Sequence, residues 1–80
     1  MKTILITGTS RGIGAEMALL FAKEGHEVIA LSRKENTDFL AYKNIYYYSV
    51  DLSCEEDLKI FTEKITERFT TIDVLIHNAG

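Results

Sequence analysis

The stretch KTILI at residues 2–6 is apolar and β-branched, and it runs almost directly into three glycines, Gly8, Gly12 and Gly14. Beyond them the apolar spacing changes from that of a strand to that of a helix. Ile13, Met17, Leu20 and Phe21 share one face of a helix predicted over 12–24, with Ala18 and Ala22 beside them. A strand, a glycine loop and a helix in succession leave few folds open. Such a strand is buried on both faces, and the helix has to return across it. Gly25 is a natural stop just past the last helical turn.

The alternation continues down the chain. HEVIALS (26–32) reads as a second buried strand, and the polar segment 33–44 holds one helical turn around Asp38–Tyr42. IYYYSV (45–50) is rich in strand formers and gives a third strand. Its Tyr46, Tyr47 and Tyr48 are expected to alternate across a buried strand, with hydroxyls at the rim. Ser53 and Glu56 have capping-box spacing, and Glu55 and Asp57 also sit near the positive end of the helix dipole. Behind them Cys54, Leu58, Phe61, Ile65 and Phe69 define one helix face. IDVLIHNAG (72–80) is a fourth strand entering a glycine-bearing loop. This β-α-β-(short α)-β-α-β order, with short connections, implies right-handed crossovers and a parallel sheet covered on both faces.

Composition narrows the function classes. Eighty residues allow one small domain, and 46% hydrophobic residues are ample for a core. A net charge of −3 gives no electrostatic case for nucleic acid or an anionic membrane. The tyrosine triplet lacks the basic groove that single-strand binding needs. There is no run of about 20 apolar residues for a membrane span, nor a signal-peptide core. Cys54 is the single cysteine, so no internal disulfide forms. Its helix-face position predicts a buried structural thiol, and a reducing cytoplasm is the default compartment. No Cys, His or carboxylate cluster has metal-ligand spacing, so no metal site is expected.

The glycine loop carries the chemistry. Unpaired amides at a helix N-terminus favour an anion, and missing side chains let backbone approach a pyrophosphate. The spacing here is Gly-x-x-x-Gly-x-Gly, and no Gly-Lys-Ser/Thr follows Gly8 at the Walker distance, which excludes a nucleoside-triphosphate loop of that type.

Thr7-Gly8-Thr9-Ser10-Arg11-Gly12-Ile13-Gly14 resembles the nucleotide loop of the short-chain dehydrogenase/reductases. Asp51-Leu52 after the third strand and Asn78-Ala79-Gly80 after the fourth resemble two further elements of that family, in the same order. The resemblance covers the whole chain. It implies a Rossmann-type α/β fold, a doubly wound parallel sheet in the order 3-2-1-4, here incomplete. Residues 1–80 would then be the N-terminal part of a single NAD(P)-binding domain. The fourth strand, with its apolar run Val74–Ile76, would be an open edge.

By the same resemblance, Ser10, Arg11 and Ile13 with Gly8, Gly12 and Gly14 contact the cofactor phosphates. Asp51 accepts from the adenine amino group, and Leu52 packs on or beside the ring. Asn78, Ala79 and Gly80 line the adenosine side of the cleft, and Asn78 ties neighbouring backbone together. His77 stands where the family more often has a second Asn. At the end of the second strand, an acid would accept from a ribose 2′-hydroxyl and repel a 2′-phosphate. This chain has Ser32-Arg33-Lys34 there. Arg11 and Arg33 can grip one 2′-phosphate together, so NADP(H) is favoured over NAD(H).

The family's catalytic serine and Tyr-x-x-x-Lys lie beyond the Asn-Ala-Gly motif, and no tyrosine here has a lysine four residues on. No residue of this chain is therefore expected to be catalytic. The expected role is the cofactor-binding portion of a longer oxidoreductase that moves hydride between nicotinamide and a small carbonyl or alcohol substrate. Homo-oligomer formation is expected only of that longer protein. A stand-alone nucleotide-binding module, or a non-functional fragment, is the alternative.

Overall fold

A computed structural model describes residues 1–78 of the chain. The motif residues Ala79 and Gly80 lie outside the described residues. Four strands, β1 (Thr3–Thr7), β2 (Glu27–Ser32), β3 (Ile45–Ser49) and β4 (Val74–Ile76), form one parallel sheet in the order β3-β2-β1-β4. Helix α1 (Gly12–Lys23) joins β1 to β2, and α2 (Glu55–Arg68) joins β3 to β4. A short 3₁₀ turn, Thr37–Ala41, precedes β3. The expected architecture is thus observed, with its strand order.

Alternation of side chains divides the core into two layers. Ile4 and Ile6 of β1 and Val28 and Ala30 of β2 face α1, where they meet Ala15, Ala18 and Ala22, and Phe39 of the 3₁₀ turn joins them. Leu5, Ile29 and Leu31 face the other way and pack with Val50 and with Ile65 of α2. The two central strands are buried on both faces, as their near-continuous apolar runs require.

The buried face of α1 matches the predicted one at Met17, Ala18, Phe21 and Ala22 but not at Ile13 and Leu20. Ile13 is 69% exposed and Leu20 54%, whereas Gly14, Ala15, Ala18 and Ala22 are buried. Small side chains let the helix axis settle close to the sheet, so the long side chains are turned to its flanks. Met17, Leu19 and Phe21 pack there half-buried. Hydrophobic periodicity alone ranks bulk over closeness, and here closeness wins.

The start of α2 also departs from expectation. Cys54 precedes the helix, with no side-chain cap, and it is half-buried rather than buried within a helical face. No Ser53–Glu56 capping box forms among the described residues. Asp51 Oδ1 instead accepts from the Ser53 amide at 3.0 Å and the Ser53 hydroxyl at 2.6 Å. Asp57 Oδ2 reaches back to accept from the Asp51 amide at 3.0 Å. An Asx turn outcompetes the serine cap because it engages Ser53 through both its donors. Leu58 lies at the rim of the α2 face, while Phe61 and Phe69 pack half-buried.

β3 is an edge strand, so its tyrosines are half-buried rather than buried. Tyr48 meets Phe61 edge-on with ring centroids 5.3 Å apart, and Tyr46 meets Phe69 at 5.1 Å. The Arg68 guanidinium lies 4.4 Å from the Tyr46 ring centre. β4 is the opposite edge, as expected, and its Leu75 is 67% exposed.

Candidate cofactor site

Parallel pairing brings the carboxyl ends of all four strands to one end of the sheet, where the loops after β1, β2 and β3 and the residues after β4 converge. Two of the loop glycines answer different needs. Gly12 has φ +67°, with nothing within 4 Å of where a side chain would begin, so its need is conformational. At Gly14 a Cβ would overlap the Gly8 carbonyl oxygen and come within 2.6 Å of the Asn78 side-chain nitrogen. Gly14 is there for close packing of α1 against the end of β1.

The loop is tied down by Thr9, Asn36 and Asn78, of which only Asn78 was assigned such a tie from the sequence. Thr9 is fully buried, and both its amide (3.3 Å) and its hydroxyl (3.2 Å) donate to the Leu31 carbonyl at the end of β2. Asn36 donates through Nδ2 to the Ser10 carbonyl at 3.3 Å, pinning the β2–β3 connection to the glycine loop. Asn78 donates its amide to Thr7 Oγ1 at 2.9 Å and its Nδ2 to the Gly8 carbonyl at 3.2 Å, so β4 is laced to β1. The expected backbone tie by Asn78 is observed. His77 Nδ1 lies 3.3 Å from Thr7 Oγ1.

Gly8, Ser10, Arg11, Ser32, Arg33, Asp51 and Leu52 line one open cleft of about 560 Å³. Ser10, Arg11 and Arg33 continue into a neighbouring cleft of about 830 Å³ that Lys34 and Glu35 also line. Seven of the expected site residues are therefore brought to one place. Ile13 lies solvent-exposed in the first turn of α1, next to Gly12 and Gly14. The sequence reading missed Leu31, Val50 and Ser53, which also line the smaller cleft. Val50 had a signal, as the last apolar residue of the IYYYSV run before Asp51.

The electrostatics favour an anion. Neither Arg11, Arg33 nor Lys34 makes an ion pair among the described residues. The first turn of α1 holds no acid, and Arg11 before it makes no side-chain cap, whereas α2 begins with Glu55, Glu56 and Asp57. Acids offset the positive end of α2, whereas α1 begins without one, directly after the cleft-lining Arg11. Asp51 is held below the usual carboxylate range, first by the Ser53 hydroxyl, then by the Ser53 amide, and also by the charge of Arg33. It is an ionised acceptor at neutral pH. Cations outside any ion pair among the described residues, an ionised carboxylate and apolar Leu31, Val50 and Leu52 thus share one cleft.

Comparison with known proteins identifies the family. The sequence model of the short chain dehydrogenases matches residues 2–80. The 3-oxoacyl-(acyl-carrier-protein) reductase FabG of Thermotoga maritima is 38% identical over an alignment of 86 residues, covering 99% of this chain and 35% of that protein. The structure of 4-hydroxyisoleucine dehydrogenase complexed with NADH superposes with a TM-score of 0.91 at 28% identity, over 100% of this chain and 34% of that one. ElxO with NADP bound superposes at 0.81 with 38% identity, over 100% and 36%. The chain spans about a third of the length of these relatives. With the strand order, the glycine loop and the converging strand ends in agreement with that match, this chain belongs to the short chain dehydrogenase family.

Proposed function

We propose that this chain is the cofactor-binding portion of a short-chain oxidoreductase that uses NADP(H) in preference to NAD(H). The observation that carries the reading is the placement of Arg11 and Arg33 on one cleft, neither in an ion pair among the described residues, with Ser32 where an acid would exclude a 2′-phosphate. Glu35 lines the wider cleft, yet Arg11, Arg33 and Lys34 outnumber it there. In this reading the two guanidiniums hold the 2′-phosphate, and the α1 amides with Gly8, Ser10, Gly12, Ile13 and Gly14 hold the pyrophosphate. Asp51 accepts from the adenine amine beside Leu52, and Asn78, with Ala79 and Gly80, borders the adenosine. When bound, the nicotinamide would exchange hydride with a carbonyl or alcohol carbon of a small-molecule substrate.

The residues of this chain bind and orient; none is assigned a step in the chemistry. Titrating the purified chain with NADPH and with NADH, following nicotinamide fluorescence, tests the reading. Binding of NADPH at least about tenfold tighter, with the difference shrinking as salt rises, is expected from charge-assisted contacts to one phosphate. Equal affinities, or tighter binding of NADH, would overturn it.

A further inference from the structure

Three consecutive carbonyls, that of the last β2 residue and those of the two residues after it, each accept a hydrogen bond from a hydroxyl, and the first also accepts the Val50 amide at 3.0 Å. Tyr47 Oη donates to the Ser32 carbonyl at 2.9 Å, Ser49 Oγ to the Arg33 carbonyl at 3.3 Å, and Ser32 Oγ to the Lys34 carbonyl at 2.6 Å. Ser32 Oγ also lies 3.3 Å from Tyr47 Oη. Each hydroxyl has one proton to give. The Tyr47 proton goes to a carbonyl, and the Ser32 proton follows the shorter contact to Lys34. The Ser32 hydroxyl is thereby committed to folding its own loop, with its oxygen against the tyrosine.

We propose that Tyr47 is a positioning residue for cofactor selection: from the neighbouring strand it fixes the Ser32-Arg33-Lys34 backbone so that Arg33 faces the cleft. The inference rests on the proposed phosphate-binding role of Arg33 and goes beyond it, because Tyr47 lines neither of the two clefts that Arg33 shares with Arg11. β3 is paired with β2 in parallel register, Ala30 against Tyr47 and Ser32 against Ser49, which sets the Tyr47 and Ser49 hydroxyls beside the loop carbonyls. Replacing the tyrosine with phenylalanine keeps the ring and removes only the proton donor.

The test uses two probes that share the adenosine and differ at the 2′ position, adenosine 2′,5′-bisphosphate and 5′-AMP, titrated calorimetrically into the full chain. Wild type is expected to favour the bisphosphate. In Tyr47→Phe, bisphosphate affinity is expected to fall about fivefold, the worth of one lost hydrogen bond, while 5′-AMP affinity changes by less than about twofold. Ser49→Ala is expected to move in the same direction, and Tyr48→Phe, whose ring packs on Phe61, to leave both affinities as they were. Limited trypsinolysis gives a reading free of any ligand: cleavage after Arg33 and Lys34 is expected to speed up in Tyr47→Phe relative to cleavage after Lys59. Equal losses for both probes, or no loss for either, would overturn the positioning role. A wild-type chain that does not prefer the bisphosphate would instead overturn the NADP(H) reading, and this inference with it.

Discussion

The side chain of Asn78 donates to the carbonyl of Gly8 at 3.2 Å, joining residues 70 apart at the point where β1 gives way to the glycine loop. The same carbonyl is the atom that a side chain at position 14 would strike. Three motif residues from two parts of the sequence thus meet at one oxygen. Asn78→Ala is expected to lower stability by about 1 kcal/mol, the usual net worth of such a bond. Urea denaturation of both chains checks it, and an unchanged midpoint would show that the contact is incidental.

The two glycines of the α1 start should respond differently to the same change. Gly14→Ala forces a methyl group into the Gly8 carbonyl and the Asn78 amide, and overpacking of this kind costs about 1–3 kcal/mol. Gly12→Ala meets nothing, but its φ of +67° costs an alanine about 1–2 kcal/mol. Gly12→Asn should recover part of that cost, since asparagine tolerates left-handed backbone, whereas Gly14→Asn should be worse than Gly14→Ala. Denaturation midpoints of the four variants give the comparison.

How much of this was legible beforehand depends on the physics that each residue obeys. The order of strands and helices was readable because burial imposes periods of two and 3.6 on apolar residues. The face of α1 was readable only in part, because Ile13 and Leu20 look like core, and the burial of Gly14 and Ala15 shows only once the closeness of helix and sheet is known. Among site residues, Arg11, Ser32, Arg33, Asp51 and Leu52 were found by motif and do share a cleft. Thr9, Asn36 and Tyr47 were passed over because each acts on backbone distant in sequence, 22, 26 and 15 residues away. Such bonds leave no local pattern.

The charge of Arg33, the proposed 2′-phosphate ligand, helps to hold the Asp51 carboxylate ionised. Arg33→Ala is expected to weaken NADPH binding about tenfold or more, as loss of a charge-assisted hydrogen bond implies, and NADH binding by much less. The same change should raise the Asp51 pKa slightly. Equal losses for the two cofactors would place Arg33 outside the phosphate subsite.

The Asp51 turn should also be visible in pH dependence. Its folded pKa lies below the ordinary 3.8, chiefly through the Ser53 hydroxyl. The stabilisation is therefore fully present above that ordinary value and is lost as pH falls through the lowered one. Ser53→Ala should move the Asp51 titration upward, followed by carboxyl carbon NMR, and should bring acid unfolding to a higher pH. A titration unchanged by the substitution would assign the shift to the Ser53 amide and Arg33 instead of the hydroxyl.

The parallel sheet has a second end, where α1 hands over to β2 through Glu24, Gly25 and His26. There the Lys2 carbonyl accepts from the Glu27 amide, the Thr3 carbonyl from the Asp73 amide, and Asn44 bonds the carbonyls of Ala22 and His26. Among the described residues, none that lines the candidate cofactor site lies at that end. It is the molecule's natural handle: a dye, a surface tether or a new chain break placed at the exposed Gly25 sits at the opposite end of the sheet from the candidate cofactor site, so the protein can be held or labelled there while that end stays free.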